Sequence, residues 1–215
     1  MSLLQRTLFD YHHRAIHVPR VRRVARALAD QIGRAASLLD VGAGDGTVAR
    51  DLGRLVGADR IAGVDVQVRP GAAVEVVHHD GERLPFPDGA FEVVVLSDVL
   101  HHCARPDVVL AESLRVAARA VAIKDHFRFG PVSEKILLLM DLVGNAAPAV
   151  HVRGTYFSPG DFAALVAEAG GRIAGLSWPL RIHDLPFRLI TQDRLQFAAR
   201  VERVSPGAGA RGGEA

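Results

Sequence analysis

The chain contains few cysteines and no long apolar run. One cysteine, Cys103, is present among 215 residues, so no internal disulfide can form. No segment approaches the roughly 20 apolar residues that span a bilayer, and the longest apolar run near the middle, Ile136–Met140, is far too short. The first twenty residues lack the apolar core of a signal peptide. We therefore expect a cytoplasmic protein without a membrane span.

Lysine is also scarce. Only Lys124 and Lys135 are lysines among the 26 Lys and Arg residues, and the formal net charge is +2. The arginines are interleaved with acids and form no basic block of the kind that marks a phosphate-backbone interface. The sequence also lacks the [DNS]-P-P-[YFW] run of enzymes that methylate amino groups of bases. A nucleic-acid partner is not indicated.

The length suits one domain with a substantial core. Residues 1–34 predict an N-terminal helical cap, as one or two helices broken near Pro19. Residues 35–204 form the main domain. The last segment, 205–215, is rich in Gly and Ala and predicts a disordered tail.

Short apolar runs alternate with segments of helical periodicity. The runs predict buried strands at Ser37–Val41, Arg60–Asp65, Val74–His78, Phe91–Ser97 and Ala120–Lys124. Helices are predicted at Asp45–Val56, Pro106–Ala117 and Ser158–Ala169. Two late runs, Gly171–Pro179 and Leu195–Val204, predict strands without an obvious helix between them, which suits an antiparallel edge. The alternation predicts a doubly wound, mostly parallel, Rossmann-like α/β sheet.

A glycine-rich turn follows the first predicted strand in Asp40–Gly46, and a helix comes next. Gly42 and Gly44 let the backbone bend sharply and approach a ligand. The helix N-terminus beyond them presents unpaired N–H groups. In open α/β sheets, ligands bind at this edge, beyond the carboxyl ends of the strands.

The side chains of the turn distinguish between ligands. Thr47 stands where a dinucleotide fingerprint has its third small residue, and the carboxylates of Asp40 and Asp45 would repel a pyrophosphate. They suit the ammonium and sulfonium groups of S-adenosylmethionine (SAM). Asp65 follows Gly46 by 19 residues, the offset of a ribose-binding acid in either class. A nicotinamide dehydrogenase is thus a weaker alternative.

Four motifs in order resemble those of class I SAM-dependent methyltransferases, in particular the broad group that includes the ubiquinone/menaquinone-biosynthesis type (methyltransferase type 11). These are Asp40–Gly46, Gly63–Asp65, Asp80–Phe86 and Leu100–His102. The resemblance covers about residues 35–125. It implies a seven-stranded sheet with an antiparallel last strand, and SAM as the cofactor.

The resemblance also implies which residues hold SAM. Asp40, Gly42 and Gly44 line the methionine part, Asp65 binds the ribose, and Val66 packs on the adenine. Backbone near Ser97 faces the methionine end. Asp80, Gly81 and Glu82 flank the adenine edge. Two expectations do not come from the resemblance: one of the two adjacent histidines packs beneath the cofactor, as the alternative to a base role, and Tyr11 or Arg14 of the N-terminal segment reaches the SAM carboxylate. The full predicted set is Tyr11, Asp40, Gly42, Gly44, Asp45, Asp65, Val66, Asp80, Gly81, Glu82, Ser97 and His102.

Histidines at the strand ends are the candidates for catalysis. Methyl transfer mainly needs an acceptor held in line with the methyl group, and a hydroxyl or phenol acceptor also benefits from a general base. His126, beside Asp125, is the first candidate, and His101 is the second. Capping of the strand is the alternative role for His126.

No metal site is predicted, although the chain has ten histidines. Neighbours on a strand point to opposite faces, which separates the adjacent pairs His12/His13, His78/His79 and His101/His102. No zinc-type spacing of Cys and His occurs.

Residues 127–157 predict either a lid over an apolar acceptor or a connection that packs on the domain, and Trp178 is predicted to lie in the core. We predict transfer of a methyl group from SAM to a small-molecule acceptor, at a hydroxyl or phenol oxygen. The alternative is a non-catalytic module of the same fold that binds a partner. The sequence indicates no oligomeric state.

Overall fold

The computed structural model describes residues 17–144, 154–185 and 187–204. Its helices are α1 (Val18–Ile32), α2 (Thr47–Val56), α3 (Pro106–Val116), α4 (Pro131–Gly144), α5 (Pro159–Glu168) and α6 (Phe187–Thr191). Its strands are β1 (Ser37–Val41), β2 (Arg60–Asp65), β3 (Val76–His78), β4 (Phe91–Ser97), β5 (Ala117–His126), β6 (Gly171–Ser177) and β7 (Gln196–Arg203). Two single 3₁₀ turns lie at Leu100–His102 and Asp193–Leu195.

The strands form one sheet in the order β3-β2-β1-β4-β5-β7-β6. Strands β1 to β5 pair in parallel, and β7 runs antiparallel to both β5 and β6. This topology confirms the predicted seven-stranded, mostly parallel Rossmann-like sheet. It also brings the carboxyl ends of β1, β2, β4 and β5 to one edge, where a ligand of such a fold binds.

Helices cover both faces of the sheet because alternate strand residues are apolar on opposite sides. Val94 and Leu96 of β4 pack in a cluster with residues of α3 and α5. Val93 and Val95 of the same strand pack on the other face with residues of α1 and α2. The central strands are therefore buried on both sides and fix the edge at which they end.

The observed elements differ from the predicted ones in three places. Strand β3 begins at Val76, not at residue 74. Strand β5 spans Ala117–His126 and exceeds its predicted range, because β7 pairs with it as far as His126. A short helix, Phe187–Thr191, lies between β6 and β7, where none was predicted.

The start of α5 follows its sequence pattern. The Ser158 side chain accepts a hydrogen bond from the Asp161 N–H, and the Asp161 carboxylate accepts one from the Ser158 N–H. This reciprocal capping box confirms the predicted helix start.

Some predictions fall on residues that are not described. Tyr11, Arg14, the tail 205–215 and residues 145–153 of the predicted lid lie outside the described residues. Within the described part of the chain, no helix has the length and hydropathy needed to cross a membrane.

Candidate functional site

The glycine-rich turn after β1 is joined to the end of β2 by hydrogen bonds. Gly42 has φ 75° and Gly44 has φ 56°, in the left-handed region that favours glycine. A Cβ atom on Gly42 would lie 2.6 Å from a methyl group of Val99, so a side chain does not fit there. The Gly44 N–H donates to the Asp65 carboxylate at 2.8 Å. The turn is thereby fixed against the predicted ribose-binding residue.

Two acids of the turn have opposite electrostatic environments. Asp40 is 2% exposed, and burial, followed by the nearby Asp65 and Asp45 carboxylates, raises its pKa to about 8. Asp45 accepts hydrogen bonds from the Thr47 N–H and hydroxyl, and its other oxygen lies 3.6 Å from His17 Nε2. The hydrogen bond with His17 leads the interactions that hold the pKa of Asp45 well below its usual range. At neutral pH the turn therefore combines a protonated acid with an ionised one.

The end of β2 presents a carboxylate and an exposed apolar side chain. Asp65 also accepts a hydrogen bond from the Gln67 N–H at 2.8 Å. The next residue, Val66, is 57% exposed. A Cβ atom on Gly81 would lie 3.4 Å from a methyl group of Val66, which places these two predicted adenine contacts side by side.

The other predicted adenine residues form a local turn after β3. One oxygen of Asp80 accepts hydrogen bonds from the backbone N–H groups of Glu82 and Arg83, at 2.8 and 2.9 Å. These bonds hold the pKa of Asp80 below its usual value. Asp80 and Glu82 are both exposed, so their side chains face solvent beside Val66.

Arg69 joins this part of the site, although the sequence analysis did not single it out. Its guanidinium lies 3.7 Å from the position that a Cβ atom on Gly44 would take. Nothing in the sequence spacing indicated this, because Arg69 lies on the irregular connection between β2 and β3.

A buried charge cluster occupies the ends of β4 and β5. Asp98, directly after the predicted contact Ser97, has φ 58° and lies 2.5 Å from Lys124 Nζ. Arg20 of α1 also binds its carboxylate. Burial alone would raise the pKa of Asp98, but the charges of Lys124 and Arg20 hold it well below its usual range. Burial lowers the pKa of Lys124.

His126, the first candidate base, lies in this cluster at 5% exposure. Burial and the Lys124 charge lower its pKa, so it is neutral at pH 7. Its Nδ1 lies 3.5 Å from a carboxylate oxygen of both Asp98 and Asp125, without a hydrogen bond among the described residues. The His126 backbone N–H donates to Asp125 at 2.8 Å. The ring thus has two acids beside it that can stabilise a proton.

His101, the second candidate base, lies between two carboxylates. Its Nδ1 is 2.6 Å from Asp125 Oδ1, and its Nε2 is 3.2 Å from Asp141 Oδ2. Burial lowers its pKa, but the charge and hydrogen bond of Asp125, together with the nearby Asp141 carboxylate, outweigh burial and raise the pKa to about 10. A histidine that keeps its proton at neutral pH does not accept another one, so these contacts argue against the base role predicted for His101.

The sequence argument against a metal site assumed that adjacent histidines lie on a strand and point to opposite faces, and this assumption is wrong for His101 and His102. These residues lie on the 3₁₀ turn Leu100–His102 after β4, not on the strand itself. Their ring centroids are 4.0 Å apart, so the two rings do not point to opposite faces. The alternation that separates neighbours on a strand does not apply to a helical turn.

The aromatic residues of the predicted lid do not line a common pocket. Phe127 and Phe157 are 2% and 6% exposed and belong to the main core. The Tyr156 hydroxyl instead donates to Asp141 of α4 at 2.5 Å. Trp178, predicted as core, is 45% exposed and stacks on Phe129 with ring centroids 5.7 Å apart, so that prediction was wrong.

A cavity of about 730 Å³ lies at the opposite edge of the sheet. Its lining includes Gly89, Ala117 and Arg203, which stand at or beside the amino ends of β4 and β5 and the carboxyl end of β7. None of the predicted site residues that the structure describes lines it. The charged groups at the carboxyl ends of the parallel strands therefore define the candidate site.

Comparison with known proteins agrees with this geometry. The sequence pattern of the family described as "Methyltransferase domain" matches residues 39–120. Comparison with curated protein sequences finds no match.

Solved structures share the fold at low sequence identity. A methyltransferase of Haloferax volcanii, solved in complex with the Trm112 methyltransferase activator, superposes with a TM-score of 0.69 at 14% identity, over 93% of this chain and 96% of that one. A SAM-dependent methyltransferase from Aquifex aeolicus gives a TM-score of 0.59 at 19% identity, over 86% and 93%. The [4+2]-cyclase SpnF gives 0.60 at 17% identity, over 86% and 82%.

These findings confirm the resemblance that the sequence motifs indicated. The family pattern spans β1 to the first part of β5, which includes the glycine-rich turn and the two adjacent histidines. Residues 39–120 therefore match the pattern of a methyltransferase domain, and the sheet has the Rossmann-like fold that solved SAM-dependent methyltransferases share.

Proposed function

We propose that the protein binds SAM at the carboxyl ends of β1 and β2 and methylates a hydroxyl or phenol oxygen of a small molecule. The observation that carries the proposal is the joined turn, in which the Gly44 N–H is bonded to the Asp65 carboxylate beside the buried Asp40. This bond supports the proposal because it joins the turn that carries Asp45, the acid proposed for the ammonium group, to Asp65, the acid proposed for the ribose hydroxyls.

The chain's donor and acceptor groups fit the parts of SAM. The ionised Asp45, just before α2, suits the ammonium group, and the protonated Asp40 at the end of β1 can donate or accept a hydrogen bond beside it. Each Asp65 oxygen accepts one backbone hydrogen bond and keeps a lone pair for a ribose hydroxyl. The exposed Val66 offers an apolar face for the adenine. When bound, SAM supplies an electrophilic methyl group.

The position of β4 and β5 indicates where the methyl acceptor binds. Their ends adjoin the turn after β1, since β4 pairs directly with β1. There the neutral His126 accepts the hydroxyl proton, and the carboxylates of Asp98 and Asp125 stabilise the resulting imidazolium. His126 is itself only 5% exposed, so bulk water has little access to this proton transfer.

Calorimetric titration tests the cofactor assignment. Purified protein is titrated separately with SAM, S-adenosylhomocysteine and NAD. We expect micromolar binding of the first two and at least a tenfold loss in Asp65→Ala. Asp88→Ala is the matched control, because Asp88 is an exposed acid beside the cavity at the opposite edge. Binding of NAD but not SAM would reject the proposal.

A non-catalytic or differently catalytic use of the fold is the second candidate. The cyclase SpnF shares the fold, and the base candidate His126 is buried. SAM binding combined with no methyl transfer to any of a panel of phenols and alcohols would favour this candidate. A transfer activity that His126→Asn reduces tenfold or more, with SAM affinity retained, would favour the methyltransferase.

A further inference from the structure

The turn after β4 and helix α4 bring three metal-ligating side chains together. One ligand atom from each of His101, His102 and Asp141 lies within 4.8 Å of the others. His101 is fully buried, and the Asp141 side chain is 13% exposed. Asp141 is about 40 residues from the two histidines in the chain, so folding, not local spacing, creates this cluster.

Two nitrogen atoms of the cluster are buried without a hydrogen-bond partner among the described residues. They are His101 Nε2 and His102 Nδ1. Leaving a polar atom buried and unpaired costs about 1–3 kcal/mol. His101 Nε2 lies 3.2 Å from Asp141 Oδ2, yet the two atoms are not aligned as a hydrogen bond requires. Each atom is therefore available to bind a third centre held by the cluster.

The distances favour a metal ion at that centre. Nitrogen and oxygen ligands about 2.0–2.1 Å from a tetrahedral zinc ion lie about 3.3 Å apart, close to the separation of His101 Nε2 and Asp141 Oδ2. The cluster His101, Asp125 and His126 also has suitable ligand types. Its His101 Nδ1–Asp125 Oδ1 distance of 2.6 Å is that of a hydrogen bond and is too short for two ligands of one ion.

The surrounding groups orient the ligands as they do in known metal sites. A metal-binding histidine usually donates its other ring N–H to a carboxylate, and His101 Nδ1 has Asp125 in that position. The Tyr156 hydroxyl donates to Asp141 Oδ2 at 2.5 Å and fixes the third ligand. The negative charge of Asp125 and Asp141, which attracts a proton to His101, attracts a cation for the same reason.

We propose that His101, His102 and Asp141 bind one divalent transition-metal ion, of the zinc, iron(II) or cobalt(II) type, which fastens α4 to the turn after β4. Two imidazoles and one carboxylate suit these ions better than magnesium or calcium, which prefer oxygen ligands. Three protein ligands leave a coordination position for water or for an oxygen of the acceptor. The inference does not depend on SAM binding.

The test is a cobalt(II) titration of chelator-treated protein, followed by visible absorption and checked by elemental analysis of zinc. We expect one equivalent of cobalt per chain, displaced by zinc. His102→Ala and Asp141→Asn should each lower the affinity at least tenfold. Substitution of His102 should disturb the fold less than substitution of Asp141, because His102 Nδ1 makes no hydrogen bond to a described residue.

Two control variants separate this site from other histidines. His78→Ala removes an exposed histidine of β3, and His126→Asn removes a ligand of the other cluster. Both should bind one cobalt ion with unchanged affinity. No binding by well-folded protein, equal binding by His102→Ala, or loss of binding in His126→Asn would each overturn the proposal. Calorimetry with SAM on the same samples reports the proposed function separately.

Discussion

The two halves of the candidate site are built in different ways. At the ends of β1 and β2, backbone N–H groups and short acids from two adjacent strands form the site, as in the bond from Gly44 to Asp65. At the ends of β4 and β5, side chains from distant parts of the chain converge, as in the contact of Arg20 with Asp98. The first half depends on local backbone geometry, and the second depends on the tertiary fold.

The largest loss of stability is expected from Lys124→Met, in the half of the site at the ends of β4 and β5. This change leaves Asp98 buried with only Arg20 as a cation. Breaking a buried ion pair on one side costs about 3–5 kcal/mol. Urea denaturation measures the free energy of unfolding. The double variant Lys124→Met/Asp98→Asn should recover part of the loss, and equal stability of all three proteins would contradict the assigned pairing.

A smaller effect is expected in the first half, from Gly42→Ala. The new Cβ atom meets Val99 at 2.6 Å in a left-handed backbone, which we expect to cost about 2–3 kcal/mol by overpacking and strain. Gly71→Ala is the control, because its φ is +74° but no atom lies within 4 Å of the added Cβ. Gly71→Ala should therefore lose only the free energy of the backbone strain, about 1 kcal/mol. If thermal or urea unfolding shows the same loss of stability for Gly42→Ala and Gly71→Ala, Val99 does not restrict the side chain at position 42.

The pH dependence of the first half follows from Asp40. Its folded pKa of about 8 exceeds the unfolded value of 3.8. The folded chain therefore holds a proton that the unfolded chain releases, and this contribution to stability falls as pH rises from about 4 to 8. The slope approaches about 1.4 kcal/mol per pH unit. Urea unfolding at several pH values should show a correspondingly weaker slope for Asp40→Asn than for the wild type.

The smallest effect is expected from Asp45→Asn. An asparagine side chain still accepts the hydrogen bonds from Thr47, so the start of α2 should keep its stability within about 1 kcal/mol. Only the charge is lost, and this carboxylate is half-exposed. We expect SAM affinity to fall several-fold, as is typical of a screened charge contact. An unchanged affinity in calorimetry would remove Asp45 from the proposed ammonium site.

The sequence predicted the elements that form the first half because they are continuous in the chain. A strand, a glycine-rich turn and a helix are continuous in Asp40–Val56, and an acid at the end of β2 must lie beside them once the strands pair. The same reasoning placed the ends of β4 and β5 near each other. It did not single out Asp98 and Lys124, although Ser97 and Lys124 are partners in the observed register.

The sequence did not predict the contacts that depend on α4. Neither the turn of the chain at Leu100–His102 nor the distance from there to Asp141 follows from periodicity. Strand alternation gave the wrong relation between His101 and His102, because one helical turn replaces the strand there. Such contacts require knowledge of how separate elements pack.

The position of β7 has a consequence for the order in which the protein folds during synthesis. Within the described sheet, strand β6 hydrogen-bonds only to β7, and β7 separates it from β5. Since Gln196–Arg203 leaves the ribosome after every other strand, β6 must wait for it without a partner, and β5 keeps an open edge until then. Open edges recruit other chains. The nascent protein is therefore most vulnerable to aggregation just before its last strand emerges, when nearly all of its core has already been made.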